Sequence, residues 1–151
     1  MTAYERLLMI DRVLAGRLWA GGAATAVVAG LAAIVGILLA RGLFDVPVLA
    51  PAGEGLWGDA DTATYALWCV FAALVATGLL HLLLVSTPRP LQFFGWIVTL
   101  ATLVATAAPF LSTGSTGSKV ATAVINLVVG VATGMLLTGV ATSAVRVRPA
   151  V

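Results

Sequence analysis

The stretch Ile125–Gly139, "INLVVGVATGMLLTG", decides how the chain is read. It holds no charged residue, a single amide at Asn126, and glycines at 130 and 134 in an otherwise apolar run. A helix that packs on a soluble core has one apolar stripe and one charged face; this one is apolar all round. The charge-free run continues from Val120 to Val145. At ~1.5 Å per residue that is enough to cross a hydrocarbon core ~30 Å thick.

Working outward, three more windows share the property: Trp19–Ala40, Ala63–Val85 and Leu91–Leu111. All the Asp, Glu, Lys and Arg residues fall between or outside them. Charged residues are 9% of the chain, against roughly 25% in a soluble domain. Mean hydropathy is +1.11. No single core of 151 residues hides that much apolar surface, so the bilayer is the expected solvent. The sequence therefore predicts an all-α membrane protein: one antiparallel four-helix domain over residues 1–151. Its helices are expected at about 19–40, 63–85, 91–111 and 120–145, with an outer loop at 41–62. The first window is longer than the ~7–15-residue apolar core of a signal peptide, so it is read as a span.

Basic residues set the expected orientation. Arg6, Arg12, Arg17, Arg89, Arg146 and Arg148 share one side, and only Arg41 and Lys119 lie on the other. Both termini are expected in the cytoplasm and the protein in the plasma membrane. The acidic residues Asp45, Glu54, Asp59 and Asp61 then face outward. With no basic patch interleaved with aromatics, nucleic acid is not an expected partner.

Before the first span, Tyr4, Leu7, Leu8, Val13, Leu14 and Leu18 recur at roughly helical spacing, which predicts a short interfacial helix running into it. The loop Arg41–Asp61 is broken by Pro47, Pro51 and four glycines, yet rich in Leu, Val, Phe44 and Trp57. It is expected to fold over the mouth of the bundle or rest among headgroups. "STPRPL" (86–91) and "STGSTGS" (112–118) read as tight turns, which makes the last three helices sequential antiparallel neighbours.

Each helix shows a face of small residues. Gly22, Ala26 and Gly30 mark the first, and Gly130, Gly134 and Thr138 the last. Such small-xxx-small spacing lets backbones approach closely, so dispersion replaces the hydrophobic force that lipid cannot supply. On the third helix Gln92, Gly95, Thr99, Thr102, Thr106 and Pro109 repeat at about 3.5 residues, a face expected to line the bundle centre. Asn126 is expected to bond across helices. One partner for it is the Ala105 carbonyl, which Pro109 deprives of its helical donor. His81 is the one ionisable side chain other than the Cys69 thiol and the Tyr65 phenol within the windows, and is read as an anchor near the cytoplasmic boundary.

No catalytic, cofactor or metal residues are assigned. One His and one Cys cannot form a metal site of three or four side chains. No Asp or Glu lies in a span to relay protons, and an enzyme is not expected. Two functions are compatible with these residues. The first is association, with a second copy or another membrane protein, through a small-residue face. The second is a channel or carrier for a small molecule or lipid along the threonine row of the third helix.

"RLWAGGAATAVVAGL" (17–31), "STPRP" (86–90) with "FFGWI" (93–97), "APF" (108–110) and "NLVVG" (126–130) carry a resemblance over nearly the whole chain. The chain resembles an uncharacterised family of small four-helix actinobacterial membrane proteins, a domain of unknown function. The resemblance implies a four-helix fold and assigns no activity or site residue. Seven Arg to one Lys is in keeping with a GC-rich genome.

Overall fold

The computed structural model describes residues 2–45, 47–50, 58–59 and 62–145. Four helices dominate: α1 (Ala3–Phe44), α2 (Thr62–Ser86), α3 (Pro90–Ala107) and α4 (Thr116–Val145). All four are long and apolar enough to cross a membrane. A 3-10 turn, Ala108–Leu111, extends α3. Two-residue strands β1 (Leu49–Ala50) and β2 (Gly58–Asp59) pair antiparallel, Leu49 opposite Asp59.

Local chemistry explains the helix bounds. Pro90 opens α3 where its missing N–H has no helical partner to lose. Ser115 caps α4: its Oγ accepts from the Ser118 N–H at 3.2 Å. That cap starts α4 at Thr116, inside the segment read from sequence as a flexible turn. Phe44 ends α1, and Asp45 follows in the left-handed region at φ 51°. No break separates residues 3–14 from the first span, so α1 is one helix of 42 residues. Leu18 is buried, while the side chains of Tyr4, Leu7, Leu8, Val13 and Leu14 lie outside the described residues.

The helices stand in a ring in chain order. α1 packs on α2 and α4, and α3 packs on α4; the α2–α3 seam is the least extensive side. One end of the bundle, the terminal end, holds the start of α1, the end of α4 and the 87–89 turn. The other, the loop end, holds the connections at 45–61 and 112–115.

The core has three tiers. At the loop end, Ala33, Ile37, Ala40, Tyr65 and Ile125 surround Val48, which descends from the loop and is fully buried. The Leu49 N–H donates to Thr122 Oγ1 at 2.9 Å, fastening this segment to α4. The loop thus enters the mouth of the bundle, though Leu56 and Trp57 lie outside the described residues. In the middle, Ala26, Ala29 and Ala73 let α1 and α2 close together. At the terminal end, Leu18, Leu80, Phe94, Leu137 and Ala141 form a large apolar layer. Leu31, Leu38, Leu67, Phe71, Leu100, Leu103 and Val128 face outward, a surface suited to hydrocarbon.

Candidate functional site

The small-residue face of α1 packs inside the chain, and that of α4 does so in part. A methyl group added at Gly22 would collide with Thr77 of α2, and one at Gly30 would lie 2.8 Å from Val70 Cγ2. Ala26 is buried between them. On α4, Gly130 receives the Thr102 side chain of α3, and a methyl at Gly134 would sit 3.0 Å from Val98 Cγ1. Thr138 is half-buried at the edge of the same contact.

The face of α3 departs from the sequence expectation. Phe94, Thr102 and Pro109 are buried, but Gln92, Gly95 and Thr99 are exposed and Thr106 is half-buried. The helix is rotated so that Phe94 fills the terminal-end layer. Threonine does not resist this rotation, because its hydroxyl can bond its own backbone. Thr106 Oγ1 donates to the Thr102 carbonyl at 2.7 Å, and Thr25 and Thr77 do the same one turn back on their helices. A continuous interior row from Gln92 to Asn126 is therefore not formed.

Two recesses flank α3. The first is a cleft of about 410 Å³ at the α2–α3 seam, floored by α4. Its loop-end rim is a polar junction between three helices. Asn126 Oδ1 accepts from the Tyr65 hydroxyl of α2, and Asn126 Nδ2 donates to the Ala105 carbonyl of α3 at 2.7 Å. This is the carbonyl whose helical donor Pro109 removes. Cys69, Thr102 and Thr133 also line the cleft. Thr102 and Thr133 are nine-tenths buried or more, and the Thr102 side chain packs against Gly130 of α4. The sequence pattern does not mark Thr133, because it sits one residue off the Gly130–Gly134 stripe. The cleft ends below Ala76 and Val98, short of the Phe94 layer.

The second recess is a groove of about 480 Å³ on the outer side of the α3–α4 contact, lined by Gly95, Thr99, Gly134, Met135 and Thr138 among others. Among the described residues, no atom beyond its own stretch of helix lies within 4 Å of a methyl added at Gly95. His81 belongs to neither recess: it is half-buried beside Trp19 of α1, with ring centroids 6.4 Å apart.

A family profile matches residues 13–143, and its description is a family of unknown function, DUF6069. The chain belongs to that family. The DUF6069 match takes in the first three spans, the fourth as far as residue 143, the 47–50 segment, the cleft and the groove. No curated protein and no solved structure matches the chain.

Proposed function

We propose that this chain is a non-enzymatic multi-pass protein of the plasma membrane, both termini cytoplasmic, that acts by associating with a second copy of itself. The observation that carries the reading is the α3–α4 groove. Gly95 and Thr99 are exposed, and the half-buried Gly134 and Thr138 line the groove beside them. In lipid, small residues on an outer face forgo the dispersion contacts that Leu or Val would make, whereas a second helix laid in the groove regains them. Elsewhere the outward surface includes many large apolar side chains, among them Leu31, Leu67, Leu100 and Val128, which lipid tails satisfy.

Catalysis has little to draw on. Cys69 and His81 lie on one helix, roughly 18 Å apart at twelve residues of ~1.5 Å rise. A path along α3 gains no support from the packing, since Phe94, Leu80 and Leu137 are fully buried across it. The excess of Arg over Lys favours an actinobacterial source.

Energy transfer between donor- and acceptor-labelled copies in liposomes tests the reading. Wild type is expected to associate as the protein-to-lipid ratio rises. Gly95→Leu, which fills the groove, is expected to weaken association at least ~5-fold, roughly 1 kcal/mol of lost helix contact, while Leu67→Ala on α2 leaves it unchanged. Transfer no higher than random proximity for the wild type, or a Gly95→Leu variant that associates equally well, would overturn it.

A further inference from the structure

The α2–α3 cleft has boundaries of three kinds. Toward the terminal end it stops short of Leu80, Phe94 and Leu137, which are fully buried. Sideways it opens out of the bundle, and Trp68, Ala72, Ala101 and Ala105 of its lining are exposed. Toward the loop end its lining includes Leu49, which belongs to the connection between α1 and α2 and to no helix.

Connecting segments ordinarily run over the surface, yet Val48 and Leu49 are both buried. Val48 sits in the loop-end tier with Tyr65, and Cys69 packs against the same tier. The Leu49 side chain lies over Gly114 of the α3–α4 turn, where an added methyl would come within 2.8 Å of Leu49 Cδ1. The Leu49 N–H donates to Thr122 Oγ1, which in turn donates to the Ser118 carbonyl at 2.7 Å. Leu49 also pairs with Asp59, but that partner lies in the same connection and does not tie it to the bundle. Among the described residues, the bond to Thr122 is the hydrogen bond that fastens the segment to a helix.

The two ends of the cleft are therefore closed by different means. At the terminal end the closing side chains stand on the helices themselves, so opening there would move a whole span. At the loop end two apolar residues and one hydrogen bond do the closing. Local openings draw on the parts of a fold held by the fewest such ties. The backbone also turns just ahead of this segment, at Asp45 with φ 51°, a conformation uncommon for a residue other than glycine.

We propose that Val48 and Leu49 are a gate. Latched to Thr122, they leave the cleft open only sideways. Unlatched, they join it to the water at the loop end, so that the cleft connects the side of the bundle with one aqueous face and not the other. The gate is independent of the association reading, whose groove contains neither of these residues nor Thr122.

Cys69 provides the readout, as the single cysteine of the chain and a residue that lines the cleft. The protein is placed in lipid nanodiscs, where water reaches both faces, and treated with either of two thiol reagents. A permanently charged methanethiosulfonate arrives only from water, and a decyl maleimide arrives from the lipid. Wild type is expected to react readily with the maleimide and slowly with the charged reagent. Thr122→Val keeps the shape and removes the acceptor, leaving the Leu49 N–H unpaired when the gate is shut. It is expected to react with the charged reagent at least ~5-fold faster, the population shift that loss of one buried hydrogen bond gives. Thr122→Ser, which keeps the acceptor, is expected to stay at the wild-type rate, and Leu49→Ala, which removes the stopper itself, to match Thr122→Val. The maleimide rate is expected to be the same in all four proteins. Charged-reagent rates that are equal in wild type, Thr122→Val and Leu49→Ala would overturn the gate. Equal acceleration of both reagents would overturn it too, by showing that the cleft walls had loosened and not its mouth.

Discussion

Asn126 joins three helices through one amide, its oxygen taking the Tyr65 proton and its nitrogen giving to Ala105. The arrangement depends on Pro109, which leaves that carbonyl without a donor from its own helix. Replacing Asn126 with Leu strands both partners. The expected loss is ~1–3 kcal/mol, more than the ~0.6 kcal/mol of an average hydrogen bond between membrane helices. In a Pro109→Ala background residue 109 regains an N–H that can reach Ala105, so the same Asn126→Leu change is expected to be milder by about 1 kcal/mol. Unfolding in mixed micelles measures all four proteins, and an equal loss in both backgrounds would refute the coupling. This pair is legible in the sequence because a proline names the carbonyl it orphans. Thr133 is not, since a hydroxyl that can serve itself gives no sign of which way it faces.

At the level of the helix, volume overrules polarity. The 3.5-residue row on α3 suggests an inward threonine face, but Phe94 takes the space among Leu18, Leu80 and Leu137 and turns the helix with it. The four spans themselves are plain from the gaps between charges, because an unpaired charge is costly in hydrocarbon. Only their ends shift, where caps such as Ser115 outvote composition. Glycines along the helices divide by what they meet. Gly22→Ala and Gly130→Ala each drive a methyl into a threonine of the neighbouring helix and are expected to destabilise by ~1–3 kcal/mol. Gly78 on α2 has open space around it, and Gly78→Ala is expected to stabilise by up to ~1 kcal/mol through helix propensity alone. Thermal denaturation in detergent reads the sign directly. A loss at Gly78 matching that at Gly130 would mean that close approach is not what the buried glycines supply.

For the molecule as a whole, the distribution of arginines fixes an expected orientation that the packing by itself does not. Counted along the sequence, six basic residues flank the terminal end and two the loop end, so the terminal end is expected in the cytoplasm. A reporter active only in the cytoplasm, fused after Val151, is expected to work, and one placed in the 51–57 segment is expected to stay silent. Activity of the loop reporter alone would reverse every assignment of inside and outside. The descent of Val48 into the bundle is only half legible in the sequence, because an apolar loop suits headgroups as well as it suits a mouth.

Val48 and its neighbours stopper one end of the bundle, and Phe94 with its neighbours the other. The consequence is electrical. Residues 19–40, 63–85, 91–111 and 120–145 carry no charged side chain, and the helices run alternately up and down, so their dipoles oppose one another. A voltage sensor works by moving charge through the field, at ~2.3 kcal/mol per elementary charge per 100 mV. Apart from His81, these four stretches give the field no ionisable charge to pull on beyond the neutral Tyr65 and Cys69. A change of membrane potential is therefore expected to leave its conformation unmoved, and the absence of a gating current from the reconstituted protein would check this.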